Sequence, residues 1–239
     1  MNCLRPLVVA FALALGTLFA ALGTSHQVAL AAQLPPPECR YAGVLTPHHE
    51  LSEWRISLLD PIYMVSRSYV PGNLVSVSKA NIQGSGYVRR SVIADLAAMA
   101  AGARDAGAPL RVTSAYRSWS QQRSLYQQEV DRYGLKVGRE KVARPGHSEH
   151  QLGTTLDFTS VGSSKSGWAY DDWATTKAGS WIMANGWRYG FLLSYPDGKK
   201  GVTCYQYEPW HYRYVGREMA ADVRDTHLTL REYLWKHHH

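Results

Sequence analysis

The sequence has few cysteines, few charged residues and, after its first 22 positions, no long apolar run. Charged residues make up 19% of the 239 positions, and the net charge of +7 comes without a basic run interleaved with aromatics. This pattern argues against a nucleic-acid-binding protein. No second apolar segment could cross a membrane, and no internal repeat or low-complexity tract is present. What remains is a chain long enough to bury the core of one globular domain.

The single long apolar run lies at the N-terminus and has the order of a secretory signal peptide. Arg5 supplies the positive charge, the apolar stretch runs from residue 7 to residue 22, and small residues end at Ala31 and Ala32. We predict that residues 1–32 are a signal peptide, with an uncleaved membrane anchor as the alternative. In either case residues 33–239 are expected to be exported to a periplasmic, cell-wall or extracellular location.

Cysteine usage agrees with export. Cys3 lies in the predicted signal peptide, so Cys39 and Cys204 are the two cysteines of the exported part. Two cysteines in an oxidising compartment most simply pair, and we predict a disulfide that joins the N-terminal arm to a late part of the fold. Cysteine catalysis is the competing interpretation, although neither residue stands in a local nucleophile motif.

Hydrophobic periodicity and turn residues predict an α+β domain, with helices packed on a small antiparallel sheet and an N-terminal extension. The predicted segments are a Pro-rich linker at 33–38, an N-terminal wrap at 39–85, a core at 86–220 and a C-terminal tail at 221–239. The terminal run of three histidines is set aside as a tag or a natural end. Predicted helices cover 91–106, 118–133 and 175–185, and predicted strands cover 62–65, 74–77, 110–114, 154–159, 187–193 and 203–215.

One stretch, RPGHSEHQLGTTLDF at 144–158, concentrates polar side chains around Gly153. Gly153 and the β-branched threonines after it predict a loop that turns into a strand, which brings His150 back beside Asp157. An imidazole and a carboxylate are suitable zinc ligands, and a catalytic zinc needs a third protein ligand. His147 forms an H-x-x-H pair with His150, but its place after Gly146 makes it look like the start of the loop, and we rank it as an outer-sphere candidate.

A second stretch, QYEPWHYRYVG at 206–216, offers that third ligand. Pro209 lacks a backbone donor, so the segment is not expected to be a helix interior or a central strand. His211 can complete a His/Asp/His set, and Glu208 is then a nearby carboxylate that is not a ligand. Such a carboxylate can take a proton from attacking water and deliver it to a leaving amine, which suits peptide hydrolysis. The alternatives are a surface pairing of Glu208 with Arg213 and a strand-end or ion-pair role for Asp157.

Four motifs resemble those of the VanY-type zinc D-alanyl-D-alanine carboxypeptidases, peptidase family M15, subfamily B. SEHQLGTTLD at 148–157 is similar to the family's S-x-H-x-x-G-x-A-x-D signature, and EPWHYRYVG at 208–216 resembles its E-x-x-H ending. SAYRSWSQQ at 114–122 resembles its S-G-Y-R-S segment, and NGWRYGFLLSYP at 185–196 resembles its aromatic stretch. The four occur in the family's order over roughly residues 86 to 220.

The resemblance implies one zinc ion on His150, Asp157 and His211, with Glu208 as the catalytic base. It further implies that Arg117 faces the substrate, where a guanidinium can hold a carboxylate or a developing oxyanion. The expected substrate contacts are Ser148, Gln122, Tyr116 and Trp210. Two positions depart from the family pattern: Thr155 stands where the signature has Ala, and Ala115 replaces a Gly. Both could reshape the pocket without removing a catalytic group.

The predicted function is therefore hydrolysis of the terminal D-alanine from peptidoglycan stem peptides, with those peptides as the partner. An L,D-carboxypeptidase acting on tetrapeptide stems and a non-catalytic, zinc-containing wall-binding module remain alternatives. A penicillin-sensitive serine peptidase would use the S-x-x-K of Ser76 and Lys79, but the chain has no S-x-N or Y-x-N motif. Lone histidines elsewhere, at positions 26, 48, 49 and 227, are expected to be surface or hydrogen-bonded residues.

Overall fold

The computed structural model describes residues 35–239, which form one compact unit. The predicted signal peptide and the first two residues of the predicted linker lie outside this range. Within it, no helix combines the length and the apolar character needed to cross a bilayer.

Five short strands precede the first α-helix, after which strands and helices alternate until two helices end the described residues. The strands are β1 Val44–Leu45, β2 Tyr63–Met64, β3 Leu74–Ser76, β4 Gln83–Gly84, β5 Tyr87–Arg89, β6 Leu110–Ser114, β7 Thr155–Ser160, β8 Phe191–Leu193 and β9 His211–Tyr214. The α-helices are α1 Ile93–Asp105, α2 Trp119–Lys141, α3 Lys177–Asn185, α4 Lys200–Thr203, α5 Arg217–Thr226 and α6 Leu230–His238. Single 3-10 turns cover Val77–Ala80, Arg90–Val92, Glu149–Leu152, Gly167–Ala169, Trp173–Thr175 and Gly186–Tyr189.

A five-stranded sheet in the order β4-β6-β7-β9-β8 is the centre of the fold. The β6–β7, β7–β9 and β9–β8 pairs are antiparallel, and β4 joins the edge parallel to β6. The α+β class predicted from the sequence is thus confirmed, with one parallel pair added at the edge. Strand β7 is buried almost along its whole length, because it has a neighbour on each side and helices cover the sheet.

Helix α1 packs on this sheet through the apolar face that the sequence pattern predicts. Leu96 and Met99 are fully buried against Phe158 of β7 and Tyr212 of β9 in the largest core cluster. Burial of side chains of this size contributes roughly 1.5–3 kcal/mol each to folding.

Helix α2 begins directly after Arg117 because Ser118 caps it. The Ser118 hydroxyl accepts from the backbone N–H of Gln121, and the Gln121 side chain accepts from the backbone N–H of Ser118. This capping box fixes the direction in which the chain leaves Arg117. The break predicted at Gly134 is present, since Gly134 has φ 79° and ψ 161°, but a second helical segment then continues to Lys141.

The C-terminal helices and the N-terminal wrap lie together on the core. Leu58 packs with Val215 and Leu234 in a second apolar cluster. Arg231 of α6 forms a buried ion pair with Asp60, with 2.7 Å between Nη2 and Oδ2, and it also donates to the carbonyls of Val202 and Pro37. The disulfide between Cys39 and Cys204 lies in the same region, with 5.4 Å between the Cα atoms. Both sulfurs are therefore bonded, and cysteine catalysis is ruled out.

Two local predictions were wrong, namely the start of the strand predicted at 187 and the exclusion of a central strand near Pro209. Residues 187–189 form a 3-10 turn that ends at left-handed Gly190, so the strand begins only at Phe191. The loop predicted around 149–152 takes the form of a 3-10 turn, and the tail after residue 220, for which the sequence predicted no secondary structure, is largely helical. The segment around Pro209 does become an interior strand, because β9 starts at His211, beyond the proline, where every residue again has a backbone N–H.

Candidate metal centre

Sheet register brings Asp157 and His211 together. They are directly opposite each other on β7 and β9, and residues opposed in this way project from the same face of a sheet. His211 Nδ1 lies 3.3 Å from Asp157 Oδ1. Two residues that are 54 positions apart in the sequence thus become neighbours through strand pairing alone.

His150 reaches the same point from the turn before β7. Gly153 ends that turn with φ 73°, a left-handed conformation that glycine adopts without strain. His150 Nδ1 donates to the carbonyl oxygen of Ala115 at 2.7 Å, so Nε2 carries the lone pair. That Nε2 lies 3.3 Å from Asp157 Oδ2.

The donor atoms fit a divalent metal ion. His150, Asp157 and His211 each bring one ligand atom to within 4.8 Å of the other two, and all three side chains are buried. In the described part of the chain, His150 Nε2 and Asp157 Oδ1 are buried atoms without a hydrogen-bond partner, which is costly unless a ligand satisfies them. Two imidazole nitrogens and a carboxylate oxygen form the kind of three-ligand set that catalytic zinc sites use.

The charges of the site also favour a cation. Burial alone would lower the pKa of His211, but hydrogen bonds with Asp157 and Glu149 raise it to about 10. Burial and the positive charge of Arg117 lower the pKa of His150 to about 4. The carboxylates thus stabilise positive charge at one point while His150 stays neutral, and a neutral imidazole is the form that binds metal.

Glu208 lies beside the three candidate ligands and opens to solvent. Its Oε2 is 3.3 Å from His211 Nδ1, and its side chain is 19% exposed, compared with 1–6% for the candidate ligands. Burial raises the pKa of the Glu208 carboxyl to about 7, although the neighbouring charges of His211 and Arg117 oppose this. A carboxyl group with such a pKa can accept and release a proton near neutral pH.

Arg117 faces the same site from the start of α2. Its Nη1 lies 3.7 Å from Asp157 Oδ2 and donates to the Ser114 hydroxyl at 3.0 Å. Its Nε donates to the side-chain oxygen of Gln122 at 2.9 Å. The guanidinium is about a quarter exposed, at 24%, so it can still meet a ligand in the cleft.

Gln122 does not contact the cleft, contrary to the sequence-based expectation. Its side chain is fully buried and is held between Arg117 Nε and the carbonyl oxygen of Ala143, to which its Nε2 donates at 2.7 Å. The physical reason is that α2 starts at Trp119, which turns Gln122 inward behind the guanidinium. Gln122 therefore orients Arg117 instead of touching a ligand.

These groups line one side of a cleft with a volume of about 520 Å3. Ser148 and Trp210, both predicted substrate contacts, line it together with the half-exposed Trp168 and with Tyr195, which sequence reasoning missed. Tyr116 is not among the described residues that line the cleft, and its backbone N–H donates to the carbonyl oxygen of Tyr87 on β5.

His147 is buried away from the candidate ligands. Its Nδ1 donates to the carbonyl oxygen of Asp60 at 2.7 Å, so it ties the loop to the N-terminal wrap and is not an outer-sphere partner of the metal. The outer-sphere partner is instead Glu149, two positions further along the chain, whose Oε2 accepts from His211 Nε2 at 2.9 Å. Burial would raise the pKa of Glu149, but Arg213 and His211 lower it to about 2. Arg213 thus pairs with Glu149, and the surface pairing of Arg213 with Glu208 was a wrong alternative.

The serine-peptidase alternative finds no support at Ser76. The Ser76 hydroxyl caps the 3-10 turn Val77–Ala80 by accepting from the backbone N–H of Ser78, and Lys79 on that turn is exposed. A nucleophilic serine would instead need a base within hydrogen-bond reach in a cleft.

The chain is similar to known carboxypeptidases in sequence and in fold. Residues 85–217 match the model of the VanY family, described as D-alanyl-D-alanine carboxypeptidase. A relative from Bacillus subtilis (strain 168), named "Putative carboxypeptidase YodJ", is 35% identical over 187 residues, which cover 76% of this chain and 67% of that protein. The solved structure of the LdcB LD-carboxypeptidase is similar with a TM-score of 0.71 and 31% identity, covering 80% of this chain and 94% of that one. The vancomycin-resistance D,D-pentapeptidase VanY from a VanB-type cassette, solved as a mutant in complex with Zn(II), has a TM-score of 0.63 and 29% identity, covering 76% and 99% of the two chains.

Proposed function

Because this chain belongs to the VanY family of D-alanyl-D-alanine carboxypeptidases, we propose that it is a zinc enzyme that removes the terminal D-alanine from peptidoglycan stem peptides. The observation that carries this proposal is the meeting of His150, Asp157 and His211 with Glu208 and Arg117 at one cleft. A zinc ion bound there supplies Lewis acidity, which polarises a carbonyl oxygen and acidifies water.

Glu208 has the position and the proton affinity of a general base. It lines the cleft and contacts His211 without belonging to the three-residue set, and its pKa near 7 lets it take a proton from attacking water. The protonated Glu208 can then deliver that proton to the amine of the departing D-alanine. Both proton transfers would take place beside the candidate metal ligands, since Glu208 Oε2 is 3.3 Å from His211 Nδ1.

Arg117 is suited to bind the free C-terminal carboxylate that defines a carboxypeptidase substrate. Its planar guanidinium keeps free donors because Ser114 and Gln122 occupy only Nη1 and Nε. Hydrogen bonds between guanidinium and carboxylate are charge-assisted and geometrically specific. The cleft gives room for several residues of the stem beyond the scissile bond, since its volume is about 520 Å3.

A second candidate, L,D-carboxypeptidase activity, is favoured by one specific observation. The LdcB LD-carboxypeptidase has a higher TM-score to this chain than the D,D-pentapeptidase does, at 0.71 against 0.63. The two activities share metal and base, so the walls of the cleft would decide between them.

Mass spectrometry of defined tetrapeptide and pentapeptide stems, incubated with zinc-loaded protein, tests metal, bond and substrate together. Loss of D-alanine from the pentapeptide alone supports the D,D assignment, and loss from the tetrapeptide supports the L,D alternative. Glu208→Ala is the matched control, because it should keep zinc yet lose about 100-fold or more in turnover. Full turnover by that variant refutes the assigned base, and zinc binding without hydrolysis of either stem favours a non-catalytic wall-binding module.

Export is part of the proposal. The signal-like order of residues 1–32 and the Cys39–Cys204 disulfide both support action outside the cytoplasm, where peptidoglycan stems are found.

A further inference from the structure

Glu149 is a buried carboxylate whose two oxygens are both hydrogen-bonded. Oε2 accepts from His211 Nε2 at 2.9 Å and from the Ser194 hydroxyl at 2.6 Å, and Oε1 accepts from Arg213 Nη1 at 3.0 Å. Its side chain is 5% exposed, so these three donors, and not water, satisfy the hydrogen-bonding capacity of the carboxylate. A carboxylate surrounded by three donors acts as an acceptor only.

Arg213 makes this arrangement possible from β9. It is two residues beyond His211, and residues two apart on a strand project from the same face. Arg213 is fully buried, and its Nη2 donates to the main-chain carbonyls of Trp54, Arg55 and Ser57 at 2.8–3.2 Å. The N-terminal wrap therefore holds the guanidinium, and the guanidinium holds Glu149.

The consequence for His211 is a fixed tautomer and ring orientation. Because Glu149 only accepts, His211 Nε2 must carry the hydrogen of that bond, which leaves Nδ1 to face Asp157. His150 is arranged in the opposite sense, with Nδ1 bonded to Ala115 and Nε2 facing the site. A hydrogen-bond acceptor behind a ligating imidazole orients it and strengthens it as a ligand.

We propose that Glu149, held by Arg213, is a positioning residue that sets His211 for metal binding. The inference rests on the proposed function in one respect, namely that a metal ion binds at His150, Asp157 and His211. It goes further by making metal affinity depend on the N-terminal wrap, whose carbonyls hold Arg213.

Glu149→Gln is the direct test. An amide keeps the size of the side chain but places an NH2 group opposite either Arg213 or His211, so one of the two contacts must fail. We expect zinc affinity, measured by competition with a chromophoric chelator, to fall about 10–100-fold. The d–d absorption of the cobalt(II)-substituted protein should change as well, because the ring of one ligand is no longer fixed.

Asp60→Asn provides the matched control. Asp60 and Arg231 form another buried ion pair, with 2.7 Å between Oδ2 and Nη2, and the pair does not touch the candidate ligands. Asp60→Asn should lower the melting temperature as Glu149→Gln does, yet leave zinc affinity and the cobalt spectrum as in wild type. Equal loss of zinc affinity in both variants would reduce Glu149 to a general structural role and overturn the proposal.

Arg213→Lys keeps the test open if Glu149→Gln does not fold. Lysine retains the charge but cannot serve Glu149 and three carbonyls at once, so we expect a smaller loss of zinc affinity of several-fold, with a shifted cobalt spectrum. Wild-type zinc affinity in every folded variant at Glu149 and Arg213 overturns the inference alone. A wild-type protein that binds no zinc overturns the proposed function together with it.

Discussion

The Cys39–Cys204 disulfide should contribute strongly to stability, because it closes a very long loop. The two cysteines are 165 positions apart. For a loop of that length, the loss of chain entropy in the unfolded state gives an upper value of about 5 kcal/mol. Arg231 also holds Val202 and Pro37 near this point through their carbonyls. The free energy of unfolding should therefore fall by about 3 kcal/mol in a variant that lacks the bond.

Thermal unfolding followed by circular dichroism is the assay. For a domain of this size, about 3 kcal/mol corresponds to a melting temperature lower by roughly 6–12 °C in the Cys39→Ser, Cys204→Ser double variant. A reductant should lower the melting temperature of the wild type to the same value and leave that of the variant unchanged. Equal melting temperatures of oxidised wild type and variant would refute the reasoning. Zinc content should be unaffected, since the candidate ligands lie on β7, β9 and the turn before β7.

Five further substitutions, grouped in three tests, examine roles that the structure assigns to individual residues. His150→Ala should lose zinc in a metal analysis. His147→Ala should keep zinc but have a lower melting temperature, because the variant lacks the hydrogen bond from His147 to the N-terminal wrap. The reverse result would make His147 the ligand and His150 the structural residue. Arg117→Lys should lower kcat/KM by about 10–100-fold, since a charge-assisted hydrogen bond is worth about 1.5–3 kcal/mol. Gln122→Ala should raise KM by a smaller factor than Arg117→Lys does. An unchanged KM in both variants would place the guanidinium outside the substrate site. Gly153→Ala should lower the free energy of unfolding by about 1–2 kcal/mol, because φ is 73° there, and equal denaturation midpoints would contradict this.

The parts of the fold that follow local rules could be predicted from the sequence. Helix α1 has an apolar face with helical spacing, and Gly107 and Pro109 follow its end. The break in α2 at Gly134 was visible for the same reason. The 3-10 turn at 186–189 and the start of β9 at His211 were not, since both depend on sheet pairing that brings distant segments together.

The candidate ligands were predictable because the stretches at 148–157 and 208–216 carry metal-ligating residue types and resemble motifs of a known zinc peptidase family. Asp157 and His211 face each other on adjacent strands, and Glu208 precedes His211 by three positions across Pro209. The orientation of Gln122 was not predictable, because the same residue type at the start of a helix can turn toward a ligand or toward a neighbouring arginine.

Glu149 was overlooked for a different reason, which concerns how the site balances charge. In the sequence it is one acid in a polar loop, and its partners Ser194 and Arg213 lie 45 and 64 positions away. In the structure, three carboxylates, those of Glu149, Asp157 and Glu208, meet two guanidiniums, those of Arg117 and Arg213.

When both histidines are neutral, as metal binding requires, the three carboxylates and two guanidiniums sum to one negative charge, and a bound divalent cation would change that sum to one positive charge. Like charges repel strongly in such a buried place, so the set by itself disfavours a peptide that ends in a carboxylate. Arg213 is fully buried and pairs with Glu149, so it does not reach the cleft. Of the two guanidiniums, Arg117 is therefore the one that can contact substrate. Because Arg213 neutralises Glu149, the Glu149 carboxylate can orient His211 without adding net charge to the cleft. Recognition of the substrate's C-terminal carboxylate then depends on Arg117 and the metal together.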